Sequence, residues 1–179
     1  VYAYGSSPET ATYPGRSFVV QSGSPVAVNW SNGLTSNTHV LPVDPTVMDP
    51  EDEDTLYTVT PQTVVDTPVT GTTQALLATF NTGIPTMPHV HGGHTQAAFD
   101  GTPMQWFTPT GLHGTDFPGT TTFTYDNSQQ AGTIWYHDHA MGVTRLNVYA
   151  GLAGFYIIHD TNENNLIASH SLPDERYAI

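Results

Sequence analysis

Short runs of β-forming residues, each closed by a turn signal, set what this 179-residue chain can fold into. Ser17 to Gln21 (SFVVQ) ends at a Ser-Gly-Ser-Pro turn. Pro25 to Trp30 (PVAVNW) alternates and stops at Asn32-Gly33, a strong turn dipeptide. Thr120 to Tyr125 and Gly132 to His137 read as two more alternating strands. Gly151 to His159 reads as a buried, near-continuous apolar strand, with small residues where a neighbour packs close. Ala75 to Asn81 is open between strand and short helix, and Val1 to Tyr4 looks like part of a strand. With 16 Gly and 14 Pro, turns are frequent and helices few; only Met141 to Tyr149 has room for a short one. This pattern predicts an all-β sandwich or barrel.

The length suits one domain. Residues 1–160 are expected to form it. The Thr-, Val- and Pro-rich stretch from Thr58 to Thr86 is a long hairpin or an excursion from the sheet. Asn162 to Ile179 is polar, reads as irregular, and is expected to begin a linker towards a further domain.

Charge narrows the partners. The cations are Arg16, Arg145 and Arg176, against 16 acidic residues, for a formal net charge of -13. Such a surface repels nucleic acid and anionic membranes, and no apolar run reaches the length of a membrane span. The acidic run Asp44 to Asp54 reads as a solvated loop and lacks EF-hand spacing. Cysteine is absent, which removes thiolate nucleophiles, disulfides and Cys-based metal sites from this chain.

Histidine occurs nine times, unevenly. His89-Val90-His91 and His137-Asp138-His139 are two His-x-His pairs, each beside strand-like sequence. On a strand, residues i and i+2 share a face, about 6.6 Å apart along the backbone. Two imidazoles so placed reach two metal ions, or converge on one if the strand twists. Neutral imidazole suits copper, zinc, iron and nickel, and a Cys-free chain disfavours structural zinc. Copper is the expected metal. Asp138 points away from the face of its two neighbours and is a poor partner for their second nitrogens.

These residues carry a resemblance. Trp135 to Gly142 (WYHDHAMG), followed by Thr144 to Gly154 (TRLNVYAGLAG), resembles the N-terminal cupredoxin domain of bacterial multicopper oxidases, in the group of spore-coat laccases, phenoxazinone synthase and bilirubin oxidase. Pro88 to Gly93 (PHVHGG) is similar to that family's first His-x-His-Gly segment. Tyr13-Pro14-Gly15, Thr38 to Pro42 (THVLP), Asp100-Gly101 and Trp106-Phe107-Thr108 match further family segments, so the likeness spans nearly the whole chain.

The resemblance implies a Greek-key cupredoxin-like β-sandwich. It implies that His89 binds type 2 copper, and that His91, His137 and His139 bind the type 3 pair. Asp100 would assist proton delivery during reduction of dioxygen; the other reading is a turn carboxylate before Gly101. The family enzymes have three cupredoxin domains and take single electrons from phenols, aromatic amines or metal ions. Their C-terminal domain supplies the remaining ligands and the Cys-bound type 1 copper. None of that lies in this chain, which is therefore expected to be a fragment: part of a cleaved enzyme whose remaining domains form a separate chain, or an isolated domain. Thr58 to Thr86 is also longer than in the spore-coat members.

Two other readings stay open: a stand-alone, non-enzymatic copper-binding module, and a zinc hydrolase. His94 makes a His89-x-His91-x-x-His94 run, but Gly93 stands where the zinc motif needs Asp. His39 and His159 sit where the family has structural histidines. His113 and His170 fall in loops and are expected to face solvent. Met48, Met87, Met104 and Met141 are expected to pack, and Arg145 to act as a buried hydrogen-bonding anchor. The sequon Asn29-Trp30-Ser31 falls in an expected strand.

Overall fold

A computed structural model describes residues 1–47, 56–65 and 72–169 of the chain. Eight strands carry it: β1 (Gly15–Gln21), β2 (Val26–Asn29), β3 (Tyr57–Val65), β4 (Thr72–Phe80), β5 (Pro88–His91), β6 (Thr122–Tyr125), β7 (Gly132–Asp138) and β8 (Ala153–His159). Among the described residues, two short α-helices accompany them, α1 (Thr144–Ala150) and α2 (Thr161–Ala168).

The main sheet has the order β1-β8-β7-β5. β1 runs parallel to β8, and β8, β7 and β5 pair antiparallel. β2 and β6 form a second, antiparallel layer. The stretch that sequence left between hairpin and excursion is a hairpin: β3 pairs with β4 from Tyr57↔Phe80 to Val65↔Thr72. The ambiguous Ala75 to Asn81 thus resolves mostly as strand.

The core lies between the two layers. On β8, Gly154, Tyr156 and Ile158 face inward, as do Tyr136 of β7 and Val90 of β5; Phe123 and Tyr125 of β6 meet them from the other side. Phe18, Trp30, Tyr136 and Tyr156 interlock, with Phe18 edge-on to Trp30 at 6.1 Å and to Tyr136 at 5.2 Å. Such aromatic contacts add to the apolar burial that drives assembly. The small residue expected to admit a close neighbour is Gly154: a Cβ there would sit 2.5 Å from the Tyr136 ring.

Several expectations fail in instructive ways. Val1 to Tyr4 is not a strand; Tyr4 makes one isolated bridge to Thr12, because the chain turns back through Pro8–Thr10. β8 is not buried on both faces. Phe155 is 51% exposed and pairs across the ladder with Trp135, itself 39% exposed, while Val19 of β1 is 63% exposed. The outer face of the main sheet therefore exposes three large apolar side chains beside one another.

Asn162 onward does not start irregular. Asp160 caps α2 by accepting from the Glu163 backbone N–H at 2.7 Å, and Glu163 pairs with His159 Nδ1 at 2.6 Å. Asp160-x-x-Glu163 is the local pattern of a capped helix start. Residues 48–54 of the acidic run, and His170, lie outside the described residues. Among the described residues, no helix is long and apolar enough to cross a membrane.

Candidate metal centre

β5 and β7 are hydrogen-bonded neighbours, and their register builds the site. His89 lies directly opposite His137, and His91 directly opposite Trp135. Alternation puts Trp135, His137, His89 and His91 on the outer face of the sheet. His139 follows the end of β7, and its N–H still donates to the Met87 carbonyl at 2.7 Å, which continues the pairing for one more step. Four imidazoles thus gather in one place. Ring centroids of His89 lie 5.4 Å from His91, 5.5 Å from His137 and 4.6 Å from His139, the last pair stacked. Spacing put each pair on one strand face and the resemblance implied that all four serve copper; the structure brings them together.

Backbone carbonyls fix three of the rings. His89 Nδ1 donates to the Asp100 carbonyl, His137 Nδ1 to the Asp138 carbonyl at 2.6 Å and His139 Nδ1 to the Gly101 carbonyl at 3.0 Å. A proton held on Nδ1 leaves the Nε2 lone pair free, which is how metal-binding histidines are oriented. His91 differs: its Nδ1 faces His137 Nε2 at 3.0 Å. Burial pushes the His137 imidazole down to about 4, opposed by its hydrogen bond to Asp138 and reinforced by His89, His139 and His91. Burial likewise lowers His139. Neutral rings with free lone pairs are what a borderline metal such as copper requires. One donor atom each from His89, His91 and His137 lies within 4.8 Å of the other two.

The loop after β5 supplies the anchors. It folds through short 3-10 turns at Ala97–Phe99 and Pro103–Gln105, with Gly101 between them at φ +74. A Cβ on Gly101 would collide with the Pro88 carbonyl, so glycine allows the close approach that delivers two carbonyls to His89 and His139. The Asp100 carboxylate is half-buried, with Oδ1 3.8 Å from His89 Nδ1.

Asp138 faces inward, as expected. It is fully buried and accepts from the Met87 N–H at 2.7 Å, the Ala140 N–H at 3.2 Å and Asn147 Nδ2 at 2.8 Å. Burial pushes its carboxyl up to about 7 against those donors. Asn147 also bonds the Pro85 carbonyl and, through Oδ1, His39 Nε2 at 3.0 Å. This network ties the His-Asp-His turn to α1 and to residues 39–41. His39 is therefore structural, as expected. Arg145 is not the buried anchor foreseen: it is exposed on α1, and Asn147 two residues on does that work. A helix of seven residues buries only one stripe, and position 147 rather than 145 lies on it.

His94 and His113 are exposed and stand outside the group; His113 stacks on Phe117. Met87 is buried, and Met104 and Met141 are partly buried. Trp135 was missed as a site residue. Its signal was available, since it lies two residues before His137 on the same strand.

A model of the multicopper oxidase family matches residues 69–163, more than half of the chain. The chain belongs to the multicopper oxidase family. Multicopper oxidase LPR1 of Arabidopsis thaliana is 40% identical over 159 residues, spanning 88% of this chain and 22% of that protein. A laccase of Bacillus subtilis (strain 168) is 35% identical over 169 residues, spanning 93% of this chain and 27% of that one. Among solved structures, a bacterial laccase-like multicopper oxidase, CueO of an Ochrobactrum species, superposes with a TM-score of 0.52 at 17% identity. That match covers 90% of this chain and 23% of that one. The likeness shows the fold, an all-β cupredoxin-like sandwich. The chain spans about a quarter or less of the first relatives it matches. Copper is the cofactor this family implies, and the histidine group fits it.

Proposed function

We propose that this chain is the N-terminal cupredoxin unit of a laccase-like multicopper oxidase. Its part is to hold one side of a trinuclear copper cluster. His89 would ligate the type 2 copper, His91 and His137 would share one type 3 copper, and His139 would reach the other. The observation that carries this reading is the approach of His91 Nδ1 to His137 Nε2 at 3.0 Å, beside two further imidazoles whose Nδ1 atoms are already committed to carbonyls. Four imidazoles on one open sheet face make half a coordination sphere. The remaining ligands, and the Cys-bound type 1 copper, would come from the other cupredoxin domains, on the same or a separate chain. The apolar outer face around Trp135, Phe155 and Val19 suits such a neighbour.

When bound, the coppers would supply the redox chemistry: one-electron oxidation of phenols, aromatic amines or metal ions, coupled to reduction of dioxygen to water. The protein's own residues position and tune. The Asp100 and Gly101 carbonyls hold two rings in one tautomer. The Asp100 carboxylate, with Oδ1 3.8 Å from His89 Nδ1, would serve as the proton donor for reduction of dioxygen.

Oxygen uptake by the full-length enzyme tests this. His139→Ala should abolish it and lower the copper content. Full activity in that variant would overturn the ligand assignment. A clean 19 kDa species that binds copper alone and needs no other domain would favour the stand-alone module instead.

A further inference from the structure

His91 is the odd member of the four. No backbone carbonyl holds its second nitrogen, and it is the most exposed of the group. An imidazole is broad and roughly two-fold about χ2, so an unanchored ring samples orientations that aim its lone pair elsewhere. Yet its Nδ1 meets His137 Nε2 at 3.0 Å.

What lies against both rings is Trp135. It is His91's direct cross-strand neighbour and shares a strand face with His137. Its indole stacks on His91 with centroids 5.6 Å apart and planes at 20°, and lies 4.2 Å from the His137 ring at 33°. Direct cross-strand pairs place side chains about 4.5–5.5 Å apart at Cβ, close enough for a flat ring to brace its neighbour. Stacking fixes the plane of the His91 ring, and with it the angle at which His91 Nδ1 meets His137 Nε2.

We infer that Trp135 is a positioning residue for the His91–His137 pair, its indole doing for His91 what a backbone carbonyl does for each of the other three imidazoles. The inference rests on the reading of His91 and His137 as copper ligands. The indole touches both rings but acts through His91, because the Asp138 carbonyl already holds His137. A planar side chain is needed here; a branched aliphatic one fills the space without setting the plane.

The test uses the full-length, copper-loaded enzyme with Trp135→Phe, Trp135→Leu, His91→Ala and the Trp135→Leu/His91→Ala double variant. The readout is copper per molecule and retention of copper(II) against a competing chelator, with circular dichroism to compare folds. Loss of a group that orients a metal ligand commonly costs about 10–100-fold in metal affinity. Trp135→Leu should weaken one copper by that factor, and Trp135→Phe should retain it. The double variant should be no worse than His91→Ala alone. Wild-type retention in Trp135→Leu beside depleted copper in His91→Ala would overturn this inference while leaving the ligand reading intact. So would a double variant that loses copper additively. Full copper in His91→Ala would overturn both.

Discussion

Nδ1 of His91 and Nε2 of His137 lie 3.0 Å apart, on adjacent antiparallel strands. That separation suits two nitrogens on one ion: metal–nitrogen bonds of about 2.0–2.1 Å put two ligand nitrogens about 2.9 Å apart at a right angle and about 3.3 Å apart at a tetrahedral one. His89 and His139 instead stack on each other at 4.6 Å. The four rings are thus two different pairs. His91→Ala and His137→Ala should lose the same copper, and combining them should lose no more than either alone. His139→Ala should lose a different one. Metal content by mass spectrometry of the full-length enzyme separates these patterns.

Asp100 contributes twice, through its carbonyl to the His89 ring and through its carboxylate nearby. Asp100→Asn keeps the backbone and removes only the proton-carrying group. Turnover should fall, by roughly the 10²–10⁴-fold typical of a lost general acid or base, with copper content unchanged. Loss of copper would instead make the carboxylate a support for the ligands.

Gly101 sits at φ +74 with its Cα against the Pro88 carbonyl. Gly101→Ala forces a Cβ into that contact and into a backbone region that costs other residues about 1–3 kcal/mol. The loop must shift, and the carbonyl holding His139 shifts with it. Both the thermal midpoint and copper retention should fall, whereas Gly111→Ala should lower only the midpoint. Gly111 also has positive φ, but open space lies around its Cβ position.

Asn147 joins the buried Asp138 carboxylate to the Pro85 carbonyl and His39. Asn147→Leu leaves several buried polar groups short of a partner, at about 1–3 kcal/mol for each. Denaturant titration should show a loss at the upper end of that range or beyond. Arg145→Ala, on the exposed side of the same helix, should change stability by less than about 0.5 kcal/mol.

Strand positions and the histidine surface were legible in the sequence because alternation and turn residues are local signals. The site needed only that β5 and β7 be neighbours, and the two His-x-His pairs supplied the reason to place them so. What sequence missed was set by longer-range packing. Phe155 looks like core by composition, and only the pairing with β7 shows that it shares the outer face with Trp135. Arg145 and Asn147 are equally polar in sequence; which one turns inward depends on where α1 docks. Gly101 reads as a turn glycine until the Pro88 carbonyl is found against it. The capping of α2 by Asp160, by contrast, is a local signal that the sequence carries in full.

The central claim is that these four histidines form one half of a shared copper cluster. Anomalous diffraction across the copper edge, on crystals of the full-length enzyme, tests it most directly. The account predicts copper peaks about 2 Å from His89, His91, His137 and His139, with His91 and His137 on one ion and every ion also ligated from another cupredoxin domain. Copper held by this chain's residues alone, or no copper beside these rings, would contradict it.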